Sequence, residues 1–329
     1  MRRRRPATAI AATAVLALTA SGCVTVHGEL ELVPAVTRTE AEQALKDFTT
    51  AYNAADKAYD PALDAGRVTG PLGAINQAGL KARSVTSPGG NPRHQPLELT
   101  DAKFVIPKKA GWPRWFVADT DSNRDRGARR SGDRWLVVFV RNGTEQLWEA
   151  AHLAILSPDE VPVFKQQDGF AVPVAAGDTR LAVSPEDLGG QYASYMKTGE
   201  PKMFAPGAHT TLWRQSRERN ANRVGLATQY VDQTMDDGDN APLALATEDG
   251  GALVFFAHRF FERQTAAQGY RPKVDPDVKA LMTGEVTNTV TKEWVSNQAA
   301  LVKPAAQAAS KDAVTIAGRL QGVTSAKGS

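Results

Sequence analysis

The stretch Trp135-Leu136-Val137-Val138-Phe139-Val140 is an uninterrupted apolar run that follows Gly132 and Asp133. Gly and Asp are common in turns. Five of the six residues in the run are β-branched or aromatic, which favours a strand over a helix. We therefore expect this run to form one strand of a curved antiparallel sheet.

Similar runs lie on both sides of this strand, separated by clusters of Pro, Gly and Asp. They predict further strands at residues 97–106, 115–118, 147–156 and 161–174. Upstream, Thr39-Glu40-Ala41-Glu42 has the pattern of a capping box, and apolar residues then recur at helical spacing from 41 to 59 until Pro61. A shorter helix is expected between 72 and 85. A helix followed by consecutive strands predicts an α+β domain in which a sheet wraps the helix.

The same order of elements begins again at Ser184-Pro185-Glu186-Asp187, which carries a capping Ser, Pro at the first helical position and acidic residues in the first turn. A helix to about residue 197 and a helical region at 209–219 follow. Strands are then expected at 223–234, 242–247, 252–263, 285–302 and 314–323. Within them, Gly250-Gly251 leads into Ala252-Leu253-Val254-Phe255-Phe256 much as Gly132 and Asp133 lead into the first run.

The chain is thus predicted to hold two helix-plus-antiparallel-sheet domains, the first over residues 39–180 and the second over 181–329. Two copies of one topology would explain this repeated order of elements, and two unrelated α+β domains are the alternative. The order of elements resembles the cystatin-like and nuclear-transport-factor-like folds, by analogy alone.

The first 22 residues have the three parts of a secretory signal. Four arginines at positions 2–5 precede an apolar run over residues 7–20, and small residues end the segment. The run is shorter than the roughly 20 apolar residues that a stable membrane helix needs. Cleavage of a signal peptide is therefore the favoured interpretation.

Ala20-Ser21-Gly22-Cys23 resembles the lipobox of bacterial lipoproteins, in which the cysteine is acylated and becomes the mature N-terminus. Cys23 is the only cysteine of the chain, so it has no partner for an internal disulfide. We expect palmitate or a related acyl group on Cys23, a short tether over residues 23–38, and attachment to the extracytoplasmic face of the cell membrane. An unlipidated secreted protein with a free thiol is the alternative.

The lipobox, the doubled α+β region and the segment from Asp249 to Phe256 together resemble the uncharacterised exported lipoproteins of actinomycetes. The Ala-, Arg- and Gly-rich composition agrees with a high-GC actinobacterial genome. This resemblance carries no catalytic residues to transfer.

The net charge excludes one class of partner. The formal charge of the whole chain is +3, and removal of residues 1–22 removes four arginines and no acidic residue, which leaves 3 − 4 = −1. A nearly neutral chain lacks the positive field on which nucleic-acid binding depends. We therefore expect no nucleic-acid partner.

Four of the six tryptophans, at positions 112, 115, 135 and 148, lie within forty residues of the first predicted sheet. Tryptophans in such a cluster fill a core or line an apolar pocket. A core is the default interpretation. The sharper hypothesis is a ligand pocket lined by Trp115 and Trp135, closed by the first helix, with His152 as a polar contact.

Metal and cofactor sites are not indicated. The five histidines have no zinc-binding spacing, and no phosphate-binding or dinucleotide-binding motif occurs. The segment from Asp119 to Asp125 has the alternating oxygen donors of a calcium loop, but Arg124 and Arg130 stand where Gly and Glu are needed. A solvated hairpin loop is the better interpretation.

Two functions remain. The first is a non-enzymatic, membrane-anchored module that binds an envelope protein or a small apolar ligand. The second is a hydrolase or isomerase that uses His152 or His258 with a carboxylate in a sheet-lined cavity. A histidine and a carboxylate within hydrogen-bonding distance, facing a cavity, would favour the second.

Overall fold

The computed structural model describes residues 31–124, 132–309 and 311–329. The helices in these ranges are α1 Arg38–Ala58, α2 Gly70–Thr86, α3 Pro185–Thr198, α4 Thr211–Ala221 and α5 Pro276–Ala280. The strands before α3 are β1 Val33–Pro34, β2 Leu99–Val105, β3 Lys108–Lys109, β4 Arg114–Ser122, β5 Arg134–Arg141, β6 Glu149–Leu156, β7 Gln166–Gln167, β8 Phe170–Ala171 and β9 Pro173–Val174. Those after α3 are β10 Asn222–Arg223, β11 Leu226–Met235, β12 Leu243–Ala246, β13 Ala252–Ala266, β14 Met282–Thr283, β15 Thr289–Val302 and β16 Val314–Gly328.

The first sheet has four antiparallel strands in the order β2-β4-β5-β6. Helix α1 packs on it through an apolar face that includes Ala44, Leu45 and Phe48, and Phe48 contacts Phe139 edge to face at 5.8 Å. Phe139 in turn stacks on Phe116 at 4.9 Å. The apolar spacing read from the sequence therefore lies on the buried side of α1.

The start of α1 differs from the prediction. Thr37, not Thr39, is the capping residue, and its hydroxyl accepts a hydrogen bond from the Glu40 amide at 3.2 Å. Glu42 pairs with Arg38 at 3.1 Å instead of reaching back to the cap. A second Thr two residues upstream offers the same cap one half-turn earlier, which the sequence pattern does not distinguish.

The second sheet follows the order β10-β11-β13-β15-β16-β14, with β12 pairing to both β13 and β9. The ladder between β13 and β15 runs from Ala252↔Val302 to Thr265↔Thr289. Helix α3 begins as predicted, since the Ser184 hydroxyl accepts from the Asp187 amide at 3.3 Å, and it ends at Gly199 with φ 83°.

Two expectations about strands need correction. Residues 161–174 form the short strands β7, β8 and β9 instead of one strand, because Asp168 and Gly169 adopt positive φ and turn the chain between β7 and β8. The strand expected from residue 285 begins at Thr289. The short helix α5 was not predicted.

An apolar cluster joins the two halves of the chain. It contains Trp115, Leu136 and Val138 from the first sheet and Leu253 and Phe255 from the second. The strand β16 also crosses β6, where a Cβ on Gly318 would lie 3.1 Å from Leu156 Cδ2. The α+β class is confirmed, and the domain boundary near residue 180 and the tandem repeat stay predictions.

Candidate ligand-binding cavity

A cavity of about 460 Å³ lies against the first sheet, on the side that faces helices α1 and α2. Trp135 and Val137 of β5 and Leu153 and Ile155 of β6 form its floor. These four side chains share one face of the sheet, because Trp135 pairs with Ile155 and Val137 pairs with Leu153. The period of two along each strand therefore places an apolar patch at this position.

The helices supply the opposite wall. Phe48 and Tyr52, one turn apart on α1, contact the cavity, and α2 contributes Leu72, Ile75 and Ala82 among others. This spacing is that of one apolar helix face.

The second half of the chain completes the wall. Leu320 and Val323 of β16 and Val278 of α5 line the cavity together with the first-half residues. Gly322 allows this approach, because a Cβ at that position would lie 2.8 Å from Ile75 Cγ2. The full set of lining residues is Phe48, Tyr52, Val68, Leu72, Ile75, Asn76, Gly79, Ala82, Arg83, Leu97, Trp135, Val137, Leu153, Ile155, Asp277, Val278, Leu281, Leu320, Gln321, Gly322 and Val323.

The size of the cavity limits what it can hold. An apolar cavity of roughly 150 Å³ accommodates one benzene molecule, which has six carbon atoms. A volume of about 460 Å³ is therefore sufficient for roughly 18 non-hydrogen atoms on the same scale. This is the size of a single long alkyl chain or of a few fused rings.

Few polar groups contact the cavity. Arg83 and Asp277 are the charged residues of the lining, and its uncharged hydrogen-bonding side chains are Tyr52, Asn76, Trp135 and Gln321. The Asn76 amide donates to Asp64 at 2.6 Å and Asp277 accepts from Thr86 at 2.8 Å, so both already have protein partners. An apolar interior with a small number of polar groups is typical of sites for small molecules.

Of the three predicted pocket residues, only Trp135 lines this cavity. Trp115 pairs with Val140, and His152 pairs with Val138, on the other face of the sheet. That face packs against the second sheet, and Trp115 is 3% exposed there. The alternation of side chains along the strands therefore places Trp135 on one face of the sheet and Trp115 and His152 on the other.

His152 is enclosed between the sheets. It is fully buried, and its ring lies 6.2 Å from that of Phe255. Neither ring nitrogen has a hydrogen-bond partner among the described residues. Burial lowers its pKa to about 3, so the ring is neutral at physiological pH. This residue is placed as a core side chain and not as the expected polar contact of the cavity.

Residues 32–328 match the family model described as a domain of unknown function, DUF8094. The chain belongs to this family. It is 54% identical to an uncharacterized lipoprotein of Streptomyces coelicolor over 97% of this chain and 94% of the relative. It is 51% identical to an uncharacterized lipoprotein of Streptomyces avermitilis over 98% of this chain and 96% of that protein. No solved structure matches the chain. The predicted resemblance to uncharacterised actinomycete lipoproteins is confirmed.

The predicted lipid-attachment residue of this DUF8094 protein, Cys23, lies outside the described residues, as does the predicted signal peptide. Within the described ranges, no helix is both long enough and apolar enough to cross a bilayer.

A second group of polar side chains is buried in the other half of this DUF8094 fold. Arg217 of α4 donates from Nη1 to both carboxylate oxygens of Asp232 on β11, at 2.8 and 2.9 Å. His258 Nε2 on β13 lies 3.2 Å from Asp232 Oδ1. Burial raises the pKa of Asp232, but the hydrogen bond with His258 and the charge of Arg217 outweigh it and hold that pKa below its usual value.

Aromatic rings enclose this group. The guanidinium of Arg217 lies 4.4 Å from the ring centroid of Phe260, and the Tyr192 ring contacts His258 edge to face at 5.2 Å. Burial lowers the pKa of His258, while Asp232 acts to raise it. The sequence argument for a hydrolase required a His–carboxylate pair that faces a cavity. This pair is among the described residues, but neither member lines the cavity beside Trp135.

The acidic segment considered as a calcium loop is organised by an arginine. Arg134 donates to Asp119 Oδ1 and to Asp121 Oδ1 at 2.6 Å each, and to Asp101 Oδ2 at 3.0 Å. Within residues 31–124, 132–309 and 311–329, no group of three or more His, Cys, Asp or Glu is positioned to hold a metal ion.

Sequence reasoning missed most of the cavity wall. Arg83 and the residues at 320–323 lie in segments predicted as a weak helix and a strand, with no functional motif. The alternation of apolar residues in β16 is weak. The glycines at 318 and 322 are the available signal, because Gly inside a strand indicates close approach of another element.

Proposed function

We propose that this protein is a lipid-anchored lipoprotein on the extracytoplasmic face of the cell membrane that binds a small apolar ligand without catalysing a reaction. The anchor is supported by the small residues before Cys23 and by relatives that are named lipoproteins across nearly their whole length. The binding role is supported by the cavity.

The single observation that carries the binding role is the composition and construction of that cavity. Side chains from both halves of the chain line about 460 Å³ that is partly open to solvent, and most of them are apolar. Sites for small molecules are concave and mostly apolar, with a small number of polar groups. The size and lining of this cavity have that character.

The lining also favours binding over catalysis. None of the described residues that line the cavity is His, Cys, Ser or Lys. His is the side chain that general acid–base catalysis uses most often, and Cys, Ser and Lys are common nucleophiles. The Tyr, Asn, Gln, Arg and Asp side chains of the lining are suited to orienting a ligand.

A cavity-filling variant tests the proposal. Ala82 lines the cavity on α2 and is 2% exposed, so Ala82→Phe places a ring in the space that a ligand would occupy. Val85 lies on the same helix and is 61% exposed, which makes Val85→Phe a matched control. Binding is measured with N-phenyl-1-naphthylamine, a neutral probe whose fluorescence rises in apolar surroundings.

We expect the wild type and Val85→Phe to bind the probe, and Ala82→Phe to bind it at least about tenfold more weakly, since the ring removes the apolar volume. Thermal melting of both variants shows whether each is folded. Equal binding by the two variants, or no binding by the wild type, would contradict the proposal.

The anchor is tested separately. Cys23→Ala removes the only thiol of the chain, so it also removes every site for thioether lipidation. Cells that express either form are fed radiolabelled palmitate, and the extracts are partitioned in detergent. We expect label and detergent partitioning for the wild type alone, and label on the Ala form would rule the assignment out.

A further inference from the structure

Arg83 differs from the rest of the cavity wall. It is one of two charged residues in the lining, and it lies in the last turn of α2. Its Nε atom is buried and has no hydrogen-bond partner among the described residues. It forms no ion pair within the parts of the chain that the structure describes. Arg83 is therefore part of the cavity lining, and no acidic side chain among the described residues pairs with its positive charge.

The neighbours of Arg83 hold the guanidinium in place. Its central carbon lies 5.3 Å from the centroid of the Tyr59 ring. Gly79 lies one turn earlier on α2, where a Cβ would be 3.2 Å from Arg83 Nη2. The absence of a side chain at Gly79 allows the guanidinium to lie directly over the helix. Both contacts reduce the freedom that Arg83 would lose on binding a ligand.

A second residue of the lining has a buried polar atom without a partner. Gln321 Oε1 on β16 is buried and lacks a hydrogen-bond partner among the described residues. A side-chain amide carries a donor group beside this acceptor, so Gln321 can pair with a donor or with an acceptor of a ligand. The other charged residue of the lining, Asp277, is exposed to solvent and accepts a hydrogen bond from Thr86.

From these groups we infer that the ligand is a single-chain amphiphile whose anionic head group binds Arg83 while its alkyl chain lies against Trp135 and Leu153. The inference rests on the proposed function. A charged group next to an apolar cavity is unfavourable unless an opposite charge is supplied. A carboxylate or a phosphate supplies that charge and accepts the hydrogen bonds of the guanidinium.

The test compares four ligands of equal chain length in displacing N-phenyl-1-naphthylamine. Palmitate and hexadecyl phosphate carry the two kinds of anionic head, hexadecanol is neutral, and hexadecyltrimethylammonium is cationic. The protein is the full mature chain in its Cys23→Ala form, which has no acyl chain of its own to compete. Arg83→Gln removes the charge, Arg83→Lys retains it, and Lys81→Gln removes an exposed charge from the same helix as the matched control.

We expect at least one anionic ligand to bind about tenfold or more tightly than hexadecanol, the order of a charge-assisted hydrogen bond. Arg83→Gln should remove this preference and change hexadecanol binding by less than about twofold. Arg83→Lys should keep part of the preference, and Lys81→Gln all of it. The comparison of palmitate with hexadecyl phosphate identifies the head group.

Two results would overturn the inference, and only the second would also refute the proposed function. If hexadecanol binds as tightly as both anions, the head-group site is wrong and the proposed apolar binding function stands. If neither the probe nor any ligand binds, both proposals fail. If Arg83→Gln does not fold, the head-group site is tested by the preference of the wild type for an anionic ligand over hexadecanol and by the retention of that preference in Arg83→Lys.

Discussion

Replacement of Arg217 by Met tests the buried ion pair of the second half. Arg217 is 5% exposed, and the side chain of its partner Asp232 is 4% exposed. Removal of one member of a buried ion pair typically costs about 3–5 kcal/mol, because the remaining charge is left without a partner. Met retains the aliphatic part of the side chain, so most of the loss comes from the Asp232 carboxylate, which keeps only His258 as a neighbour.

The loss should depend on pH in a defined direction. In the wild type, burial lowers the pKa of His258, and the charges of Arg217 and Arg319 also lower it, while Asp232 raises it. A histidine with a folded pKa below its unfolded value stabilises the fold above the unfolded pKa, and this stability is lost as the pH falls. Without Arg217, the pKa values of both His258 and Asp232 rise. The folded variant therefore binds protons more readily than the folded wild type. The difference in free energy of unfolding between the two should decrease as the pH falls from 7.5 to 5.5.

Urea unfolding, followed by circular dichroism and by tryptophan fluorescence, measures the free energy of unfolding at each pH. Arg219 lies on the same helix and is exposed, so Arg219→Met is the control and should change stability by less than about 0.5 kcal/mol. A cost below about 1 kcal/mol for Arg217→Met at pH 7.5 would refute the reasoning. So would a penalty that grows as the pH falls.

Two further predictions follow from the first sheet. Trp115→Ala should lower the free energy of unfolding by about 3–5 kcal/mol, because the side chain is in the cluster between the sheets. Trp135→Ala should mainly weaken probe binding. Urea unfolding and probe titration of both variants distinguish the two effects, and the reverse pattern would contradict the assignment of the two side chains to opposite faces. Residues 24–180 and 181–329, produced as separate chains, should associate in size-exclusion chromatography because that cluster contains side chains from both. The two-domain prediction further requires a cooperative thermal transition from each half. If neither half shows such a transition, the two-domain prediction is refuted.

Local composition was sufficient to predict most elements. The runs of β-branched and aromatic residues at β5 and β13 predicted strands that the structure contains, and Ser184-Pro185 marked the start of α3. These signals arise from contacts within a few residues. The short helix α5 gave no such signal, since five residues are too few for an apolar period to emerge.

The polar pairs were beyond sequence reasoning for a different reason. Arg217 and Asp232 are 15 positions apart and come together only because α4 packs on β11. The cavity depends on a still longer separation, since Trp135 and Leu320 meet across the two halves. Contacts of this kind are set by how the elements pack, which no local pattern records.

The sequence alone did not show that Trp115 and Trp135 lie on opposite faces of the first sheet. Alternation of polar and apolar residues shows which side chains of a strand share a face, but β5 is apolar at nearly every position because helices cover one face and the second sheet covers the other. The apolar character of β5 on both faces also indicates how the first sheet is covered. A strand that is apolar on both faces needs two covering layers, and the helices predicted beside the first sheet supply only one. The second layer had to come from elsewhere in the chain, which is why the floor of the cavity and the contact between the halves occupy opposite faces of one sheet.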